Sequence, residues 1–189
     1  SRGLPAEEDG KVVHTGMPVR AAIATMRDHP YPPLHGDAPI GLLILGGSQG
    51  ARVFSHTVPD AVGLMEEHLR RRLRISQQCR PEDLERVRQA YGRLGVEADL
   101  DVFFDDVPKR MAVAHLLVSR AGASTGAEAT AIGPPALLVP YPHALDYHRP
   151  HNAPSVHRPR ASWVLPAVVV TLPAVVSLLH CPSARSPLR

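Results

Sequence analysis

The sequence is poor in the residues that mark secreted scaffolds and metal centres. It has two cysteines, Cys79 and Cys181, whose separation fits neither a zinc site nor a disulfide framework. Residues 1–16 contain no basic segment followed by an apolar run, so no signal peptide is visible, and we expect the chain to be cut from a longer one. These absences predict a reduced compartment and a fold that is stabilised by its own apolar core.

Acidic residues are missing from the end of the chain. All 18 acidic residues and 16 of the 21 basic ones lie at or before Asp146, so the overall charge of +3 comes from the last part of the sequence. The part up to Asp146 carries a net charge of −2. Because this part is not basic, we expect no nucleic-acid partner.

The pattern of apolar residues predicts one α/β domain. Short apolar runs alternate with amphipathic segments, and 44% of the 189 residues are hydrophobic. We predict a Rossmann-like, doubly wound parallel sheet whose ligands bind outside the carboxyl ends of the strands. The predicted strands are Ile40–Leu45, 72–76, 97–104, 115–119 and 135–140, and the predicted helices are 59–71, 81–94, 107–114 and 120–131.

Local signals define the ends of several predicted helices. Gly95 and Gly133 can each end a helix, because glycine adopts the left-handed conformation without strain. Asp105 or Asp106 can cap the helix over 107–114 with its side chain.

The segment after residue 153 differs from the rest. Residues 147–189 contain five Arg, four His and no acid, and 163–179 is a nearly uncharged run at the lower limit for a membrane span. Pro166 and Pro173 interrupt that run and argue against a transmembrane helix. We predict that 154–189 form a divergent tail that is disordered or frameshifted, with an engineered or naturally diverged tail as the alternative.

Two small-residue turns follow predicted strands and could hold an anion. In "GGSQGAR", residues 46–52, glycines permit close approach of the backbone, and Ser48 adds a hydroxyl donor. The segment has neither the P-loop nor the GxGxxG spacing, so a purely structural turn is equally consistent with it. In "SRAGASTGAEATAIG", residues 119–133, Glu128 could accept both hydroxyls of a ribose or could merely favour the helix dipole.

Several motifs, in order, resemble one family. They are "GKVVHTGMPVR", "LGGSQGAR", "ISQQCRPEDLERVRQAYGRLG", "FFDDV", "SRAGASTGAEATAIGPPALLVPYPHALD" and "HNA". Over roughly residues 10–153 the chain closely resembles the C-terminal half of the MurG family of bacterial glycosyltransferases. The resemblance implies the C-terminal half of a GT-B enzyme, incomplete at its C-terminus. It divides the chain into an interdomain linker (1–20), a UDP-sugar donor-binding domain (21–153) and the tail (154–189).

The resemblance also implies an activity. The family transfers N-acetylglucosamine from UDP-N-acetylglucosamine to lipid-linked MurNAc-pentapeptide in peptidoglycan precursor synthesis, with inversion and without a required metal or cofactor. Its members are bound peripherally at the cytoplasmic face of the bacterial cell membrane. The acceptor site and the general base belong to the N-terminal domain, so no catalytic residue is expected here and the fragment is expected to be inactive alone. The alternatives are a non-catalytic nucleotide-binding module and the product of a decayed gene.

The resemblance assigns donor-binding roles to single residues. Arg20 matches an arginine near the uracil end of the donor, Ser48 lies in the diphosphate loop, and the backbone of Phe104 recognises the uracil. Glu128 is placed on the ribose hydroxyls, which favours the functional interpretation of that residue. The full set of predicted donor-binding residues is Arg20, Gly47, Ser48, Gln49, Phe104, Ala123, Ser124, Thr125, Glu128 and Arg149.

Two positions depart from the family pattern. Met17 stands where the family usually has Asn, and Arg149 stands where a glutamine hydrogen-bonds the transferred sugar. A guanidinium donates hydrogen bonds but accepts none, so it cannot replace a carboxamide that does both. The sugar selectivity of this chain is therefore open.

Overall fold

Strands and helices alternate along the chain. The structure, a computed structural model, describes residues 17–47 and 52–139 and the backbone of 162–164. The strands are β1 (Ile40–Leu45), β2 (Leu73–Gln78), β3 (Glu97–Asp101), β4 (Leu116–Arg120), β5 (Ala136–Val139) and β6 (Ser162–Val164). The helices are α1 (Ala21–Ala24), α2 (Arg52–Gly63), α3 (Glu67–Arg70), α4 (Leu84–Leu94), α5 (Val107–Val113) and α6 (Ala123–Ile132), with a 3-10 turn at Pro81–Asp83.

The strands form a single parallel sheet in the order β3-β2-β1-β4-β5-β6. The first strand, β1, lies in the middle of the sheet. β2 and β3 follow it towards one edge, and β4 then pairs with the other side of β1. This reversal between β1 and β4 is a topological switch point, where ligands bind in sheets of this kind. The prediction of a doubly wound, Rossmann-like sheet is confirmed.

Both faces of the sheet are covered by helices, and β1 contributes to both. Leu42 and Ile44 belong to an apolar cluster that also contains residues of α2 and α4. Leu43 and Leu45 belong to a second cluster with residues of α1, α5 and α6. A strand buried on both faces needs apolar residues at successive positions, which explains the run "LLIL" in the middle of the sheet.

The helix predicted over 59–71 is wrong. The chain forms α2 from Arg52, ends it at Gly63, and then makes the separate short helix α3. Pro59 therefore lies inside α2, where it has no N–H for the carbonyl of Ser55. That carbonyl instead accepts a hydrogen bond of 3.2 Å from Nη1 of Arg86, so the partner that allows the proline comes from α4.

The predictions for the other helix ends are confirmed for α4 and α6 but not for α5. Gly95 and Gly133 follow α4 and α6 with φ of +66° and +96°, which confirms both predicted left-handed ends. The side-chain cap predicted for α5 is wrong: Asp106 occupies the cap position but makes no capping hydrogen bond. Its Oδ1 accepts instead from Nε of Arg110, 2.6 Å away, because a charged partner one turn later competes with the backbone N–H groups.

The edge strand β3 is less buried than the centre of the sheet. The strand predicted over 97–104 ends at Asp101, and its residues alternate between exposed and half-buried, as expected beside a single neighbouring strand. On the opposite edge, β6 pairs with β5 and is formed by residues of the segment predicted as a tail. The rest of that segment lies outside the described residues, and the boundary at residue 153 stays a prediction.

Candidate functional site

The candidate site lies at the carboxyl ends of β1 and β4. β1 leads into Gly46, which is buried, and Gly47, which is exposed and has a φ of +74°. Such a φ favours glycine, so the sharp exit from the strand explains the residue at this position. The predicted site residues Ser48 and Gln49 lie outside the described residues, and α2 begins at Arg52.

The second predicted turn leads from β4 into α6. Gly122 is the residue before the helix, and its carbonyl accepts the N–H of Gly126 at 2.9 Å. The N–H groups of Ala123, Ser124 and Thr125 come before the first helical hydrogen bond and therefore have no acceptor within the helix. Ala123 and Ser124 are exposed and Thr125 is half-buried, so the helix start lies at the surface, where a negative charge is favoured.

The structure brings together two predicted site residues that are 108 positions apart in the chain. Nε of Arg20 donates to Oε1 of Glu128 at 2.6 Å, and its Nη2 donates to Oε2 at 3.0 Å. The Glu128 side chain is 11% exposed, whereas that of Arg20 is 58% exposed. The pair joins the start of α1 to α6 and holds the carboxylate in one orientation, and its side-chain hydrogen bond raises the pKa of Arg20.

The segment between β3 and α5 carries the predicted residue Phe104. Its ring is buried in the second apolar cluster, while the neighbouring Phe103 is 67% exposed. Oδ1 of Asp101 accepts the N–H of Val102 at 2.6 Å, which tightens the turn after the strand. No described residue supplies an acceptor for the N–H of Phe104. The Phe104 side chain is therefore anchored in the core, and its N–H has no acceptor within the described part of the chain.

Sequence reasoning missed Arg110, whose guanidinium contacts four residues of this region. It donates from Nε to Asp106, and from Nη1 to Oδ2 of Asp99 at 2.6 Å and Oγ of Ser76 at 3.1 Å. Its Cζ lies 4.0 Å from the centre of the Phe104 ring. The spacing of Asp106 and Arg110 by one helical turn was the only local signal for these contacts.

Three further predictions concern the sugar contact of Arg149, metal binding and the membrane. Arg149 lies outside the described residues. Within the described ranges, no group of three His, Cys, Asp or Glu side chains is placed to hold a metal ion. In the same part of the chain, no helix is both long and apolar enough to cross a membrane.

Known proteins resemble this chain in sequence and in fold. Residues 41–180 match the family model of the glycosyltransferase family 28 C-terminal domain. The chain is 56% identical over 155 residues to the UDP-N-acetylglucosamine--N-acetylmuramyl-(pentapeptide) pyrophosphoryl-undecaprenol N-acetylglucosamine transferase of Paramagnetospirillum magneticum, covering 82% of this chain and 42% of that one. It is 46% identical to the enzyme of the same name from Rhodospirillum centenum, covering 94% of this chain and 47% of the relative.

Solved structures agree with these sequence relatives. The crystal structure of Acinetobacter baumannii MurG superposes with a TM-score of 0.68 at 28% identity, covering 79% of this chain and 44% of that one. The glycotransferase of kitacinnamycin, at 17% identity and a TM-score of 0.59, shares the fold. The chain spans less than half the length of these relatives. The chain belongs to glycosyltransferase family 28, and within that family it corresponds to the C-terminal domain of the MurG proteins.

Proposed function

We propose that the chain is the donor-binding part of a glycosyltransferase that transfers N-acetylglucosamine from UDP-N-acetylglucosamine to lipid-linked MurNAc-pentapeptide. The names of the relatives at 56% and 46% identity support this donor and this acceptor. The relatives are more than twice as long as the matched region, so the acceptor would bind to the part of the enzyme that precedes this domain. The role proposed for these 189 residues is to hold the donor.

The observation that carries the proposal is the geometry of Glu128. A carboxylate offers about four lone-pair positions, and the two-pronged contact with Arg20 uses two of them. The remaining two suffice for the 2′ and 3′ hydroxyls of one ribose. Because Arg20 fixes the carboxylate of Glu128, both acceptors are oriented before the donor arrives, which reduces the entropy lost on binding.

The diphosphate of the donor would lie between the two turns at the switch point. The exposed start of α6, with Ala123, Ser124 and Thr125, offers N–H groups on one side. Gly47 opens the other turn, and Ser48 and Gln49 would complete it. We propose that Arg149 contacts the transferred sugar, where it supplies hydrogen-bond donors only.

The uracil would pair with the backbone of Phe104. Its ring is held in the core, and no described residue accepts a hydrogen bond from its N–H, which supports recognition of the base by this main-chain group. With the ribose on Glu128 and the diphosphate at the switch point, the donor would lie along the carboxyl edge of the sheet from β3 to β4.

The chemical step would need groups from the other part of the enzyme. An inverting transfer requires a base that removes the proton from the acceptor hydroxyl while the diphosphate leaves. We assign no catalytic residue to this chain. We place the complete enzyme at the cytoplasmic face of the bacterial cell membrane, as a peripheral protein, because its acceptor is lipid-linked.

A thermal melt of the purified chain with UDP, UDP-N-acetylglucosamine and UDP-glucose tests the proposal. A ligand at about a hundred times its Kd stabilises the fold by roughly 2.7 kcal/mol, which raises the Tm by about 5–10 °C in a domain of this size. We expect UDP and UDP-N-acetylglucosamine to produce this shift and UDP-glucose a smaller one. Equal Tm shifts with all three ligands would mean that the nucleotide site is intact but does not distinguish the sugars. A cooperative melt that no ligand moves would overturn the proposal and favour a decayed gene product.

A further inference from the structure

Arg110 is the central contact of the segment that carries Phe104. Its guanidinium joins β2 through Ser76, β3 through Asp99, and the start of its own helix through Asp106. The same group lies over the ring of Phe104 at 4.0 Å. The Arg110 side chain is 23% exposed and is partly withdrawn from water, whereas those of its partners Asp99 and Asp106 are 59% and 46% exposed.

The contacts of Arg110 stabilise residues 102–106, which form no hydrogen bonds of the sheet ladder. After Asp101 the chain leaves β3, and residues 102–106 make no ladder with another strand. Nε2 of Gln78 donates to the carbonyl of Val102 at 3.0 Å and fixes the beginning of this piece. Arg110 fixes the end of this segment. Its planar guanidinium donates hydrogen bonds to Asp106 and Asp99 and stacks on the ring of Phe104.

The charges around Arg110 keep this arrangement intact. Burial by itself lowers the pKa of Arg110, but the hydrogen bonds to Asp106 and Asp99 outweigh burial and leave the pKa raised. The hydrogen bond from Arg110 is also the main reason that the pKa of Asp106 is lowered. Arg110 and Asp106 therefore remain ionised at neutral pH, which preserves the hydrogen bond between them.

We propose that Arg110 is a positioning residue that fixes the backbone of Phe104 and thereby lets the site prefer uracil to cytosine. The inference rests on the proposed function, in which that backbone meets the base. Uracil presents a carbonyl at C4 and an N–H at N3, whereas cytosine presents an amino group and a bare nitrogen at the same positions. A main-chain N–H and C=O can distinguish the two only if their directions are fixed, because a mobile peptide can turn to suit either base.

The test compares the Kd values of UDP, CDP and inorganic pyrophosphate for the full 189-residue chain by calorimetry. The variants are Arg110→Met, which keeps the apolar stem, Arg110→Lys, which keeps the charge, and Arg88→Met as a control. Arg88 also pairs with a carboxylate one turn away, at 3.1 Å to Glu85, but lies on α4. We expect Arg110→Met to lower the preference for UDP over CDP by about tenfold, Arg110→Lys to lower it less, and Arg88→Met to leave it unchanged.

Pyrophosphate separates loss of positioning from loss of the fold. It lacks a base, so its Kd should not change in Arg110→Met if only the Phe104 segment has loosened. An equal weakening of pyrophosphate and UDP, or an unchanged preference for UDP over CDP, would overturn the inference. If Arg110→Met does not fold, Asp99→Asn removes one contact and should lower the preference by a smaller factor; an unchanged preference there would overturn the inference too. Failure of the unmodified chain to bind UDP would instead refute the proposed function.

Discussion

At the scale of single residues, Glu128 offers the most direct test of donor binding. Glu128→Gln replaces one carboxylate oxygen with an amide group that donates hydrogen bonds, so the site loses an acceptor for the ribose and the charge that orients Arg20. Because hydrogen bonds to charged groups contribute about 1.5–3 kcal/mol, we expect the Kd of UDP to rise roughly ten- to hundredfold. Calorimetry with UDP measures the change.

The stability of the fold should change little in the same variant. Arg20 is largely exposed, and ion pairs with an exposed partner contribute about 0–1 kcal/mol. Glu85→Gln is the matched control, since Glu85 is an exposed helical glutamate on α4 with its own arginine partner. If Glu128→Gln binds UDP as tightly as this control, Glu128 does not hold the ribose.

His115 makes the stability of the fold depend on pH. Its Nδ1 accepts the N–H of Gly41 at 2.8 Å, which requires that this nitrogen carry no proton. Burial, with the nearby charge of Arg72 as a smaller cause, lowers the pKa of His115 in the folded state. The unfolded chain therefore binds a proton at a higher pH than the folded one, so stability is complete above the ordinary histidine pKa and falls as pH drops below it.

We expect the free energy of unfolding to fall between about pH 7.5 and 5.5, with a contribution from His115 of at most about 1.4 kcal/mol per pH unit. His115→Asn keeps an acceptor close to the Nδ1 position but does not titrate. Urea unfolding of both proteins across this range should therefore show a shallower slope for the variant. Identical slopes would mean that His115 does not couple folding to protonation.

At the scale of elements, the end of α4 provides a matched pair of glycines. Gly95 has a φ of +66°, so Gly95→Ala forces alanine into the left-handed region and should destabilise the fold by about 1 kcal/mol or more. Gly92 lies inside the same helix, and a Cβ there would meet open space. Gly92→Ala should therefore stabilise the fold by about 0.5–1 kcal/mol. Urea unfolding measures both changes, and a shift in the same direction for both would contradict this account.

The elements also show which sequence signals were sufficient. Apolar runs predicted β1, β4 and β5 nearly to their ends, because strands buried on both faces have little freedom in composition. β2 was predicted from its alternating pattern, and every second residue of this strand is buried. The start of α2 at Arg52 was missed because Pro59 was taken as a helix start, whereas Arg86 from α4 satisfies the carbonyl that the proline leaves unpaired. The side-chain cap predicted at Asp106 is also absent because of an arginine, since Arg110 donates a hydrogen bond to the carboxylate that would have capped the helix.

At the scale of the whole molecule, the chain should bind a donor without transferring its sugar. An inverting displacement needs the acceptor hydroxyl and a base aligned with the sugar carbon, and we assign both to the other part of the enzyme. We expect no transfer from labelled UDP-N-acetylglucosamine to lipid-linked acceptor by residues 1–189. Fusion to the preceding part of the Paramagnetospirillum magneticum relative, which is 56% identical over the matched region, should restore transfer.

The control for this experiment is the same fusion carrying Glu128→Gln, which should transfer more slowly at low donor concentration. Transfer by residues 1–189 alone would contradict the division of roles between the two parts. A fusion that binds UDP but transfers nothing would mean that this chain cannot complete the enzyme.

The sequence by itself determined the doubly wound sheet, the places of both small-residue turns and the identity of the family. Each of these depends on short segments, whose apolar periodicity or motif is complete within a few residues. Only the tertiary structure decided that Arg20 meets Glu128 and that Arg110 covers Phe104 while binding Asp99. Arg20 and Glu128 are 108 residues apart, and their contact arises because α1 and α6 pack on the same face of the sheet. The order of the strands sets such contacts, and no local pattern contains that order.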